Sequence, residues 1–219
     1  MTAHSESLSG GGTSSLEVRW IVRGQLTDTM ASWFERFPAE STALEDAYLL
    51  EPHLPGLSVK GRAGRMLEVK AYRGNRGLLE VAGRACGHVE SWEKWSFPHG
   101  PPSQGSGDPA GWKPVIKRRR ISWFSLDGEP FRPGARGLGE EEPRCAVELT
   151  EARAGSGAWW TLGFEATGPV ALQRSGLEAA AAVVLTEALP GGMKLCLEDS
   201  QSYAQWLRRR PGAGSDGET

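Results

Sequence analysis

Lysine, arginine and glutamate recur at every second position of several short runs whose other positions are apolar. In LSVKGRAGRMLEVKAYRG, residues 57–74, Lys60, Arg62, Glu68 and Lys70 alternate with Leu57, Val59, Leu67 and Val69. The same alternation brings Glu17 and Arg19 in LEVRWIVRG, Glu80 in GLLEVAGRA, and Glu90 and Lys94 in HVESWEKWSF. It continues with Lys117 and Arg119 in VIKRRRISWF, Glu148 in CAVELTEA and Glu165 in WWTLGFEAT. Arginine forks and lysine point charges clustered on one face suit an anionic ligand. Other chemistries lack their residues. His4, His53, His88 and His99 show no HExxH spacing, and there is neither a Gly-x-Ser-x-Gly elbow nor a Walker-type glycine loop.

Positioning such residues requires strands, because successive side chains point to opposite faces with a period of two. Eight runs read as strands: 16–24, 57–63, 66–73, 77–85, 88–97, 115–124, 145–152 and 159–167. Helical patterns are fewer, near 27–37, 176–189 and 200–209. Gly-, Ser- and Thr-rich residues 1–15 and the closing residues 210–219 read as disordered tails around one domain, 16–209. The Gly/Pro-rich stretches 98–111 and 127–143 read as long loops within it. The expected fold is mainly β: an antiparallel barrel of eight strands, closed so that no edge is exposed, with a few flanking helices.

At 219 residues with 39% hydrophobic content, the chain can bury one good core. A formal charge of −2 gives no overall bias toward nucleic acid or anionic membranes, so a charged function must come from local clustering. No run is long and apolar enough for a membrane helix, and no secretory leader is legible, which makes the expected location cytoplasmic. Cys86, Cys145 and Cys196 are odd in number and widely spaced, and read as buried thiols.

One face of the strands collects Val18, Trp20, Val22, Val147, Leu149, Trp160, Leu162 and Phe164, and the other collects the charges. Antiparallel sheets ordinarily set one face on a core and the other in water. Here the charged set recurs in nearly every strand and holds both signs, while helices and aromatics offer cover for the apolar face. If the sheet closes with the apolar side outward, the charges line a lumen, and so many desolvated cations need an anionic occupant. Closure the other way round gives a lipocalin-like carrier barrel for an apolar ligand, with Lys60, Arg62, Lys117 and Arg119 in solvent. Trp92 shares the charged parity, and it stacks on an organic part of a substrate or packs at a rim or in the core. Arg118 and Arg120 in KRRR should face away.

LEVRW on the first strand, DAYLLEPHLPGLSVKGRAGRMLEVK, VIKRRR, VELTEA, LGFEATG and the late SYAQWL together resemble the triphosphate tunnel metalloenzyme superfamily, the CYTH-type fold, over about residues 16–207. The resemblance implies an eight-stranded tunnel in which basic residues grip a triphosphate and glutamates hold one or two divalent ions. It implies Lys60, Arg62, Lys70, Lys117 and Arg119 as phosphate ligands. Glu17, Glu148 and Glu165 would hold Mg2+ or Mn2+, with Glu68 as a companion, and Glu17 and Glu165 would serve catalysis. The implied ligand is a polyphosphate-bearing small molecule, hydrolysed with a divalent metal. No nucleic acid or membrane partner is expected.

The chain departs from the pattern in two places. The first-strand signature Glu-x-Glu-x-Lys reads Glu17, Arg19 and Ile21, and Gly163 precedes Glu165 where a second Glu-x-Glu is expected. Arg19 could itself replace the ion as a fixed phosphate clamp. The alternative is therefore a catalytically inactive relative that binds an anionic metabolite.

Overall fold

The computed structural model describes residues 12–51, 53–62, 66–98, 111–132 and 143–209. The elements are β1 (Thr13–Arg23), α1 (Asp28–Phe34), β2 (Ala39–Leu49), β3 (Leu57–Arg62), β4 (Met66–Val81), β5 (Ala85–Pro98), β6 (Trp112–Phe124), β7 (Pro130–Phe131), β8 (Arg144–Ala154), β9 (Gly157–Thr167), α2 (Val170–Val184) and α3 (Tyr203–Arg209). Eight strands run in the order β2-β3-β4-β5-β1-β9-β8-β6, and β6 pairs back onto β2 to close an antiparallel barrel; the two-residue β7 adds to β6 outside that ring. The expected architecture is present, but two of its strands are placed differently.

Runs 66–73 and 77–85 form one strand, β4, with register shifts between Tyr72 and Gly74 and between Asn75 and Leu78. Gly74 and Gly77 have φ of 126° and 91°, values that side chains resist, so the strand passes through both irregularities where a turn was expected. The eighth barrel strand is β2, a stretch with no assigned element in the sequence reading. Alanine and acidic residues give it poor strand propensity, and eleven residue pairs with β6, from Ala39–Ser122 to Leu49–Trp112, hold it extended. β1 begins at Thr13, inside the stretch read as a tail. Residues 1–11 and 210–219 of the tails and most of the two long loops lie outside the described residues.

The apolar core lies outside the barrel. Val18, Trp20, Val147, Leu149, Trp160, Leu162 and Phe164 are buried on the outer wall against Leu177, Ala180, Ala181 and Val184 of α2 and Met30, Trp33 and Phe34 of α1. Thr27 Oγ1 accepts from Met30 N (3.2 Å) and caps α1. Trp20 Nε1 donates to Cys86 O (2.9 Å), and a Cβ on Gly87 would come within 2.6 Å of the Trp20 ring, so glycine is required for this close approach. Cys145 is fully buried, whereas Cys86 and Cys196 are only half-buried, so two of the three thiols depart from expectation. With the apolar face outward, the lipocalin-like alternative is excluded.

A second, smaller cluster closes one end of the barrel. Ile21, Tyr48, Val115, Ala152 and Ala154 pack with Trp206 and Leu207 of α3, joined by Leu50, Trp159 and Tyr203. Aromatic rings knit this floor: Tyr48 stacks on Tyr203 (5.9 Å between centroids), and Trp206 meets Trp159 (5.1 Å) and Tyr203 (5.8 Å) edge-on. Ile21, which stands where the first-strand signature has lysine, is therefore part of a hydrophobic plug. No helix among the described residues is long and apolar enough to cross a membrane.

Candidate functional site: a charged lumen with a closed floor

The interior holds a cavity of about 820 Å3 lined by charged residues from β1, β2, β3, β4, β5, β6, β8 and β9. Strand alternation places all ten site candidates there: Glu17, Arg19, Lys60, Arg62, Glu68, Lys70, Lys117, Arg119, Glu148 and Glu165. Lys94 joins them. Glu80 does not, because the register shifts in β4 carry its strand end out of the ring, where it is exposed. Glu90 sits beside the floor, its carboxylate accepting from Gln205 Nε2 (3.0 Å) and Trp92 Nε1 (3.1 Å), with its pKa raised by burial. Trp92 is almost fully buried and packs edge-on against Tyr72, so it belongs to the wall and not to a stacking surface. Arg118 is exposed and Arg120 pairs with Glu151 outside, as their parity requires.

Each carboxylate in the lumen already has cationic partners. Lys70 Nζ donates to Glu17 Oε1 (2.6 Å) and lies 3.4 Å from Glu165 Oε2; Lys94 lies 3.7 Å from the other Glu165 oxygen. Glu148 accepts from Arg19 Nη1 (3.1 Å) and Arg119 Nη1 (3.4 Å). Lys60 and Arg62 hold Glu68 at 2.7 and 3.2 Å. Asp46, fully buried, accepts from Lys117 Nζ (2.8 Å) and Arg62 Nε (3.3 Å). Lys117 also donates to Tyr48 Oη (2.7 Å) and stands 3.8 Å above the Tyr203 ring. Among the described residues that line the cavity there are eight lysines and arginines and five carboxylates.

The protonation states follow. Burial alone would raise the Glu148 carboxyl, but Arg19, Arg119 and Lys117 hold it down at about 2. Lys70 and Lys94 do the same for Glu165, against burial, again to about 2. Both depressed values stabilise the fold above the ordinary carboxylate pKa of about 4.5, and the contribution is lost as pH falls from there toward 2. Urea unfolding at pH 7 and pH 3 should show it: stability drops by roughly 2 kcal/mol per carboxylate at pH 3, and replacing either glutamate by glutamine reduces that drop. Lys70 is held charged by Glu165 and Glu17 despite burial, and Tyr48 is kept a neutral phenol by burial.

The expected metal ligands do not come together. Glu17 and Glu165 face each other in register and share Lys70, whereas Glu148 faces Gly163 and belongs to the arginines. Among the described residues, no three Asp, Glu, His or Cys side chains gather at a spacing that could hold a metal ion. At the two departures from the signature, the residues interlock. Arg19 and Gly163 are register partners, and a Cβ on residue 163 would lie 2.6 Å from Arg19 Cζ and within 2.9 Å of both terminal nitrogens. The guanidinium therefore occupies the space of the missing side chain, fixed by Glu148, by Thr161 Oγ1 (3.0 Å) and by the Tyr203 ring (4.9 Å). A cation sits among the carboxylates an ion would need, so this set does not fit Mg2+ or Mn2+.

Sequence reasoning missed Asp46, Tyr48, Thr161, Tyr203, Trp123 and Arg144, all of which line the cavity or fix its charged side chains. Trp123 and Thr161 carried a usable signal, since they continue the alternation of Lys117 and Arg119 and of Gly163 and Glu165 within runs read as strands.

No protein-family model matches the chain, and no curated protein matches it. Among solved structures, a conserved hypothetical protein of Pyrococcus furiosus is similar at 14% identity and a TM-score of 0.42, covering 86% of this chain and 98% of that one. An RNA triphosphatase of S. pombe is similar at 10% identity and a TM-score of 0.37, covering 84% and 82%. A Hippeastrum protein, described as an adenylyl cyclase with dominant triphosphatase activity, is similar at 11% identity and a TM-score of 0.37, covering 76% and 86%. None of these values assigns the chain to a family.

Proposed function

We propose that the lumen binds the polyphosphate portion of a small molecule, and that it does so without a divalent ion. One observation carries this reading: among the described residues, the strands turn a dense cluster of lysines and arginines, Arg19, Lys60, Arg62, Lys70, Lys94, Lys117 and Arg119, into one cavity with a closed floor. Fixed cations in a partly desolvated cavity cost less when an anion supplies the missing charge. Arg19, Lys60, Arg62, Lys70, Lys117 and Arg119 are the gripping set, with Arg19 supplying the positive charge that an ion would otherwise bring. Because Glu17 and Glu165 are bound to Lys70, no carboxylate is left to activate water, and the site favours retention of the ligand over its hydrolysis.

Calorimetric titration of tripolyphosphate tests the reading. We expect saturable binding of equal affinity in EDTA and in Mg2+, weakened by salt as charge pairing requires, with no sustained heat of hydrolysis. Sustained heat that depends on Mg2+ or Mn2+ would restore a metal-dependent phosphohydrolase, and the absence of binding heat would refute the lumen as a polyphosphate site.

A further inference from the structure

Cys86 and Cys196 are far apart in sequence and neighbours in the fold. Where β1 and β5 stop pairing, beyond Glu17 and Glu90, the segment 195–201 runs between them. Leu195 N donates to Arg84 O (2.9 Å) and Cys86 N donates to Leu195 O (2.9 Å); further on, Trp20 bridges Ser200, and Gln201 N donates to Arg19 O (2.9 Å). The segment leads straight into α3, so it is a strap that ties the barrel's floor to both strands. Its bridge to β5, between Ala85 and Leu195, is parallel, which makes Cys86 and Cys196 the next facing pair. Neighbouring strands stand about 4.8 Å apart, within the roughly 4.4–6.8 Å between Cα atoms that a disulfide spans. Both backbones are extended here: Cys86 lies in β5, and Cys196 has φ −89° and ψ 154°. Because side chains alternate and Ala85 and Leu195 are buried in the core, both thiols turn to the opposite side together. There they are half-buried, beside exposed Glu80, Lys194 and Leu197. Cys86 Sγ lies 4.0 Å from Glu80 Oε1 and Cys196 Sγ 3.8 Å from Lys194 O, so neither is locked in a strong contact, and a turn about each Cα–Cβ bond aims one sulfur at the other.

We propose that Cys86 and Cys196 form a modification site, a redox pair that closes to a disulfide and fastens the strap to β5. A small disulfide such as oxidised glutathione is the oxidant. One thiolate of the pair attacks it, forming a mixed disulfide and releasing one glutathione thiol. The other thiolate then attacks the mixed disulfide, the Cys86–Cys196 bond forms, and the second glutathione thiol leaves. Two protons and two electrons pass from the pair to the two glutathione thiols. Cys145, fully buried, is out of reach of the oxidant and takes no part. The crosslink closes a long loop, from β5 through β6, β8, β9 and α2 to the strap, and long loops are those whose closure most restricts the unfolded chain.

Trypsin separates the three cysteines into ACGHVESWEK, CAVELTEAR and LCLEDSQSYAQWLR, so peptide masses after treating the folded protein with oxidised glutathione report the pairing. Expected are the first and third peptides joined in a monomeric protein, a melting temperature raised by about 5–10 °C, and reversal of both by dithiothreitol. Cys196→Ser should stop at a glutathione adduct on Cys86, without that rise. A wild-type protein that keeps separate glutathione adducts, links one molecule to another or does not react overturns the pair. A joined pair with an unchanged melting temperature overturns the claim that it fastens the strap.

Discussion

Replacing Asp46 with alanine is expected to lower the free energy of unfolding by roughly 3–5 kcal/mol, the range for removing one partner of a buried ion pair. Asp46 is wholly buried, and Lys117, which it holds at 2.8 Å, is only 5% exposed. Without the carboxylate, Lys117 retains one phenol oxygen and two aromatic rings, which share its charge but do not balance it. Arg62 loses a partner at the same time. Lys117 and Lys60 hold Asp46 below the usual carboxylate range against the opposing pull of burial, so the carboxylate is ionised at neutral pH. Urea denaturation at pH 7 measures the loss. The double variant Asp46→Ala, Lys117→Met should recover much of it, because the uncompensated charge goes with the lysine. An unchanged denaturation midpoint in Asp46→Ala would show that the pair contributes nothing to the barrel.

The second large effect falls on binding. In Gly163→Ala the new methyl displaces the Arg19 guanidinium, which lies at the far end of a flexible side chain and can move where a backbone atom could not. Arg19 then gives up its geometry toward Glu148 and Thr161. Hydrogen bonds to charged groups are each worth about 1.5–3 kcal/mol, so tripolyphosphate affinity should fall about ten- to a hundredfold. Arg19→Met should do the same. Adding Gly163→Ala to Arg19→Met should cost little further affinity, because the only group it would displace has already gone; fully additive losses would mean that the glycine acts through something other than Arg19.

The barrel and its inside-out arrangement were legible because alternation is a local signal repeated in nearly every strand. From Glu17 to Glu165 it sorted side chains correctly wherever the strand ran without a register shift. It failed at Glu80, where two irregularities in β4 break the parity. β2 was invisible because its extended conformation comes from pairing with β6 and not from its own residues, and Asp46 and Tyr48 were lost with it. Tyr203 could not be foreseen as the floor, since nothing in SYAQWL states which end of a barrel a short helix will cover. The consequence of Arg19 and Gly163 was legible only in part. Each departs from the resembled signature alone, but that one fills the space of the other is a fact of register across β1 and β9.

The plug of Ile21, Trp206 and Leu207 under Tyr203 also limits how a polymer can engage the protein. A passage open at both ends lets a long chain thread through and be held anywhere along its length. A cavity with a floor meets such a chain only at its termini. On the proposed reading, occupancy with long linear polyphosphate should therefore follow the number of chain ends in solution and not the amount of phosphate.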